Sequence, residues 1–289
     1  MLQKNMKIFL TGGTGFIGSH FINAAHQAGH NIVALRRASS QPRITLEKEP
    51  QWIDGPLDGD YTEEMKDCQV LVHLASHTPN PPYDTLPNCL YWNVQASIQL
   101  AEQAKSVGIT RFLIAGSCFE YGRSAERYDA IPVTAPLEPM LSYPTSKAAA
   151  SVAFLGFAAQ HKIQLSLFRI FQVYGEGEQA SRLWPSLKIA ALNGSDFPMT
   201  LGEQLRDFID VKDVASEFVK GLDFSNVDAG IPNLKNISSG NPQTLFEFSS
   251  HWWNHWNAKG KILRGAIPYR VNEIMKLIPE LNNEVNNAH

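Results

Sequence analysis

Apolar residues along the chain fall into short, nearly continuous runs separated by longer segments with helical spacing. The runs "KIFLT" (7–11), "NIVAL" (31–35), "VLVHLA" (70–75), "RFLIAGS" (111–117) and "QLSLFRI" (164–170) read as strands buried on both faces. Between them, residues 16–28, 90–107 and 145–161 read as amphipathic helices. Such alternation predicts an α/β fold: a Rossmann-type, doubly wound parallel sheet with helices on both faces. After residue 175 the elements shorten and Gly, Pro and Asn become more frequent. This change predicts a first domain over 1–175. Residues 176–289 then form mainly a smaller lobe, with some segments returning to the first domain. The ending "LNNEVNNAH" (281–289) is polar and reads as a frayed tail.

Composition narrows the picture by exclusion. A chain of 289 residues, 44 % of them hydrophobic, can bury a sizeable core. The formal net charge of −3, with no long Lys/Arg run, offers no field for nucleic acid. No apolar run approaches the ~20 residues of a membrane span. The start, "MLQKNMKIFLTGG", lacks the small-residue cleavage site of a signal peptide. Cys68, Cys89 and Cys118 are too few and too scattered for a disulfide framework or a zinc site. A cytoplasmic protein without nucleic-acid or membrane partners is expected. In "HWWNHW", His251 and His255 have a metal-compatible spacing. They lack an evident third ligand, and Trp252, Trp253 and Trp256 predict a packing helix; no metal is expected.

"TGGTGFIGSH" (11–20) follows a predicted strand and opens a predicted helix. Its glycines at 12, 15 and 18 permit a tight turn, close backbone approach to a pyrophosphate and close helix–strand packing. The helix N-terminus adds free N–H groups and partial positive charge. A dinucleotide is therefore expected on Gly12, Thr14, Gly15, Phe16 and Ile17. NAD is usually selected by a carboxylate at the end of the second strand, whereas the 2′-phosphate of NADP needs a cation. Here that strand ends in "VALRRASS", with Arg36 at the acid's place and Arg37 after it. A guanidinium pairs with phosphate in fork geometry, so NADP(H) is favoured, with NAD(H) as the alternative.

In "YPTSK", Tyr143 and Lys147 stand at i and i+4, on one face of a helix. Pro144 suits a first helical turn. A tyrosine of pKa about 10 acts as a base near neutrality only if that value falls by roughly 3 units, ~4 kcal/mol. A neighbouring ammonium and a cationic nicotinamide supply such a bias.

These segments, with "VHLAS" (72–76), the Asn93–Val94 step, "GSCFEYG" (116–122), "RIFQVYG" (169–175) and "RDFIDVKDVA" (206–215), stand in an order that resembles the extended short-chain dehydrogenases/reductases. These are NAD(P)-dependent sugar-nucleotide epimerases, dehydratases and reductases, and the resemblance covers about residues 7–275. It implies a catalytic triad of Ser117, Tyr143 and Lys147, with Lys147 also holding the cofactor ribose. It adds Leu74, Ala75, Ser76 and Asn93 to the cofactor site, where His73 and His77 flank the strand end. It implies a nucleotide-diphosphate sugar as substrate, touched by Ser117, Gln172, Arg206 and, from "YRVNEIM" (269–275), Arg270. Gln172 departs from the family's usual Asn, and Pro56 displaces the usual adenine-contacting Asp. Asp207 and Asp213 are expected to order the loop and helix around Arg206. Helices 90–107 and 145–161 resemble the pair through which relatives form homodimers.

The same resemblance separates reactions. Family 4,6-dehydratases carry an acid one or two places after the catalytic hydroxyl; here those places hold Cys118 and Phe119. Glu120 comes one place too late on an alternating strand, unless the strand has already ended there. The epimerase–reductases that make GDP-fucose use a Cys where Phe119 stands. A 4-keto-6-deoxyhexose reductase and a C4 epimerase with bound NAD remain. Arg36 favours the reductase, and the short lobe is similar to that of 4-ketoreductases such as those that make CDP-abequose. A non-catalytic NADP-binding protein on the same fold is disfavoured by retention of all three triad residues.

Overall fold

The computed structural model describes residues 5–271 and 273–280, so the tail 281–289 lies outside the described residues. The first half runs β1 (Lys7–Thr11), α1 (Phe16–Gln27), β2 (Asn31–Arg36), β3 (Gln51–Asp54), α2 (Thr62–Met65), β4 (Val70–His73), α3 (Leu86–Leu90), a π-helical turn (Tyr91–Gln95), α4 (Ala96–Ser106) and β5 (Arg111–Ser117). After a 3-10 turn (Cys118–Glu120) come α5 (Ser142–His161), β6 (Gln164–Ile170), β7 (Gln172–Tyr174), α6 (Leu183–Asn193), β8 (Phe197–Met199), β9 (Leu205–Asp210) and α7 (Val211–Lys220). The last elements are β10 (Asn233–Ile237), β11 (Pro242–Thr244), α8 (Leu245–His255), β12 (Ile262–Arg264) and β13 (Lys276–Leu277).

All five apolar runs form parallel strands of one seven-stranded sheet, ordered β10-β6-β5-β4-β1-β2-β3. This is the Rossmann order with one strand added. Side chains alternate between its faces. Ile8 and Leu10 pack with Phe21 and Ile22 of α1 and Phe218 of α7. Phe9, between them in sequence, packs with Leu100 of α4 and Met65 of α2 in the cluster that also holds Phe154 of α5. The edge strand β10, from late in the chain, lies beside β6 with Asn233 opposite Ser166.

The expected helix 90–107 is broken. Thr85 caps α3, accepting from Asn88 N–H at 3.4 Å, and the wide turn Tyr91–Gln95 precedes α4. Such turns recur at functional sites, and this one buries Asn93. Helix α5 begins at Ser142, earlier than its apolar pattern, because Pro144 is tolerated in the first turn.

The later residues build a four-stranded sheet centred on β9, which pairs with β7, β11 and β13, and a β8–β12 pair. Leu187 and Ala191 of α6 pack against Trp253 of α8, with Trp252 and Trp256 around them. The His251 and His255 rings stack 6.5 Å apart beside Trp252. Among the described residues no group of three or more His, Cys, Asp or Glu could hold a metal, and no helix is long and apolar enough to cross a membrane.

Candidate active site

The chain order around β1 reverses between β1 and β4, which opens a crevice at the C-terminal ends of the strands. Gly12 turns the chain there with φ +77°, and a β-carbon on it would stand 2.5 Å from Ala75 N. A β-carbon on Gly18 would overlap the Gly12 carbonyl. The turn closes through Gly15 N–H donating to Gly12 O at 2.9 Å. Gly15 caps α1 without a side-chain hydrogen bond, leaving first-turn N–H groups, Phe16 and Ile17 among them, for a ligand or solvent. Thr14 accepts from Ser40 Oγ at 3.3 Å. Leu74 N–H and Ala75 N–H donate to the Thr11 carbonyl and hydroxyl, so the β4 end is bound to the loop. A glycine cradle under an uncapped helix fits a dinucleotide pyrophosphate.

At the end of β2, Arg36 is engaged. Its Nε donates to Asp54 Oδ1 at 2.7 Å, and its guanidinium lies 4.8 Å from the Trp52 ring centre. Arg36 and Asp54 are register partners across β2 and β3. Arg37 is exposed.

Ser117 ends β5, and Tyr143 and Lys147 occupy the first two turns of α5; the three are 7 %, 7 % and 5 % exposed. Burial pushes the Tyr143 pKa up, opposed by the hydroxyls of Ser76 and Ser117 and reinforced by Glu120 and Tyr83. Ser76 Oγ is buried without a well-formed hydrogen bond, although it faces Tyr143. Lys147 Nζ donates to the Ala115 carbonyl at 2.7 Å, and burial lowers its pKa against the pull of Glu120. His73 is buried and its Nδ1 meets Thr11 Oγ1 at 2.8 Å. Desolvation, with Lys147 nearby, takes its pKa down to about 3, so it is neutral at ordinary pH. Asn93 acts as a clamp: Oδ1 accepts His77 N–H at 2.7 Å, and Nδ2 donates to Ser146 Oγ at 2.9 Å. His77 pairs with Asp84 at 2.8 Å.

Cys118 and Phe119 offer no acid here. Cys118 belongs to a hydrophobic cluster with Phe119 against it, and burial pushes its thiol up to about 12. Strand β5 has already ended at Ser117, so Glu120 sits on a 3-10 turn and points into the interior.

On the substrate side, Gln172 opens β7, half-buried. Arg206 is buried and grips the late chain, donating to the Ile274 and Met275 carbonyls at 2.6 and 3.2 Å and to Glu273 at 3.0 Å. Asp207 orders the adjacent loop, accepting Ser239 N–H at 2.6 Å and Gly240 N–H at 2.9 Å. Arg270 is exposed. Its charge and that of Arg182 both bear on Tyr83, while Arg182 and Arg206 bear on Cys118. Arg182 thus lies on the side of both Tyr83 and Cys118, with Arg270 toward the first and Arg206 toward the second. Sequence reasoning missed Tyr83 and Arg182; both lie in loops whose composition carries no periodic signal.

The sequence pattern of the NAD dependent epimerase/dehydratase family matches residues 8–232. CDP-abequose synthase of Salmonella muenchen is 25 % identical over 283 residues, 96 % of this chain and 89 % of that protein. UDP-glucose 4-epimerase of Corynebacterium glutamicum is 25 % identical, over 81 % of this chain and 76 % of that one. Among solved structures, the NAD-dependent NDP-hexosamine 5,6-dehydratase TunA superposes with a TM-score of 0.81 at 27 % identity, covering 95 % of this chain and 88 % of its own. MoeE5 in complex with UDP-glucose and NAD gives 0.81 at 25 % identity, covering 96 % and 90 %. The sheet order agrees with this match, and the chain is an enzyme belonging to the NAD dependent epimerase/dehydratase family.

Proposed function

We propose that the enzyme reduces the C4 carbonyl of a nucleotide-diphosphate 4-keto-6-deoxyhexose. The observation that carries this reading is a buried Ser117–Tyr143–Lys147 pocket whose phenol is held protonated, beside two positions, Cys118 and Phe119, unable to serve an elimination. When bound, the nicotinamide supplies the hydride to the carbonyl carbon. Tyr143 gives its proton to the carbonyl oxygen as charge develops there. The Ser117 hydroxyl donates to the same oxygen and polarises it. The Lys147 ammonium, with one proton already satisfied by Ala115 O, steadies the phenolate left behind. Arg182, Arg206 and Arg270 are suited to a diphosphate, which takes paired, charge-assisted bonds. The similarity to CDP-abequose synthase over nearly the whole chain supports a nucleotide sugar and the reductase reading.

Arg36 and Arg37 favour NADP(H). A second reading, a C4 epimerase that retains NAD, is favoured by the Arg36–Asp54 pair, which occupies the cation that NADP would use, and by the similarity to UDP-glucose 4-epimerases. The experiment mixes enzyme, NADPH or NADH, and a panel of nucleotide 4-keto-6-deoxysugars, following nicotinamide absorbance. Stoichiometric oxidation supports the reductase. No oxidation, with NAD retained through purification and interconversion of C4 epimers, transfers the assignment to the epimerase. We also propose a cytoplasmic homodimer joined through residues 90–107 and 145–161, a surface on which Val152 is 61 % exposed; a monomeric mass in solution rules it out.

A further inference from the structure

Glu120 is fully buried, three residues past Ser117, and its two oxygens serve three elements. Oε1 accepts the backbone N–H of Ser117 at 2.7 Å. Oε2 accepts the Ser151 hydroxyl of α5 at 2.7 Å and Nε of Arg169 on β6 at 2.9 Å. Arg169 donates onward to the Tyr121 hydroxyl at 3.2 Å and the Val133 carbonyl at 2.9 Å. The Tyr121 hydroxyl donates to Asn236 Oδ1 of β10 at 2.7 Å. Ser151 lies one turn beyond Lys147, which lies one turn beyond Tyr143, on a shared helix face. One carboxylate therefore ties the strand end bearing Ser117 to the helix bearing the other two triad members.

Burying an ion pair costs much of what the attraction returns, so stability alone is a weak reason for this one. We propose that Glu120 is a positioning residue: it fixes Ser117 relative to Tyr143 and sets its carboxylate, paired with Arg169, against the helix face that carries Tyr143 and Lys147. Among the described residues, five other titratable side chains surround this assembly, the buried thiol of Cys118 beside Glu120 being one. Tyr83 faces Tyr143 from its loop, His73 of β4 faces Lys147, and Arg169 and Tyr121 meet Glu120 from β6 and from the residue that ends the 3-10 turn. His73 and Tyr83 are uncharged at neutral pH. Glu120 raises the proton affinity of both Lys147 and Tyr143. Its removal therefore lowers both.

The effect on rate rests on the catalytic reading above; the effect on Lys147 does not. Glu120→Gln leaves Arg169 buried without its counter-charge, so Glu120→Gln/Arg169→Met is measured beside it, and the paired variant decides if the single one fails to fold. Lys147 is titrated by nitrogen-15 lysine NMR, its signal identified with Lys147→Arg. The expected result is a Lys147 midpoint lower by about one pH unit. On a nucleotide sugar, kcat falls about tenfold or more with KM unchanged, and the pH–rate profile moves to lower pH. A reduced rate with an unmoved Lys147 midpoint and an unmoved profile overturns the proposal. If the unaltered enzyme turns over no nucleotide sugar, the functional reading falls, while the Lys147 titration still decides the role of Glu120.

Discussion

The ring of Tyr83 lies against the ring of Tyr143, their centroids 5.4 Å apart and their planes 31° from parallel. The loop carrying Tyr83 is tied on several sides. Ser142 Oγ donates to Asp84 O at 2.7 Å, His77 pairs with Asp84, and Asn80 donates to Gln179 at 2.7 Å. Tyr83 is thus a cover over the phenol. Tyr83→Ala should admit water, lower the Tyr143 pKa and reduce kcat about tenfold, whereas Tyr83→Phe should keep most of the rate. Equal losses in both variants, measured as kcat against pH, would assign the role to the Tyr83 hydroxyl and reject the cover.

Tyr143→Phe removes the transferable proton but little volume. The expected outcome is a 10²- to 10⁴-fold fall in kcat, about the range for a lost general acid, with cofactor affinity nearly unchanged by calorimetry. Full activity in this variant would end the triad assignment.

Gly12→Ala forces a β-carbon into the backbone of Leu74 and Ala75 at a φ of +77°. Strain of about 1–3 kcal/mol is expected from the backbone conformation alone. Both the melting temperature and the affinity for reduced nicotinamide cofactor should drop. Retained affinity at reduced stability would place the dinucleotide elsewhere.

Asp54 competes for Arg36 with any 2′-phosphate. Asp54→Asn should improve NADPH binding relative to NADH about two- to fivefold, the scale of one partly exposed ion pair. Arg36→Ala should reverse the preference. If the NADPH/NADH affinity ratio is the same in all three proteins, Arg36 does not select the cofactor.

Glu178 gives a pH signature. Its side chain is 7 % exposed, and burial pushes its carboxyl up to about 7 from near 4.5, against the pull of Arg182. The native state therefore binds this proton more tightly than the unfolded chain. The associated stability is complete below 4.5 and is lost as pH rises through 7, by up to about 3 kcal/mol. Glu178→Gln should gain melting temperature relative to the unaltered enzyme between pH 5 and 8; parallel curves would refute the burial of this charge.

The parts legible in sequence were local ones. Strands β1, β2, β4, β5 and β6 are continuous apolar runs, and the glycine loop and the Tyr143–Lys147 pair are fixed spacings. Strand β3, "QWID", is short and half-buried, so its hydrophobicity hardly stands out. Arg36 faces Asp54 only through strand register, and Asn93 reaches Ser146 only through packing. The partners of Glu120 lie 31 and 49 residues away, which explains why it read as a misplaced acid rather than a brace.

The place of β10 sets an order of events. The strand beside β6 comes from residues 233–237, and α7, which covers Phe21 and Phe168, comes from 211–220. During synthesis the first six strands must wait, the β6 edge open to wrong partners, until the ribosome has delivered most of the chain. A fragment ending near 175 would keep that open edge permanently.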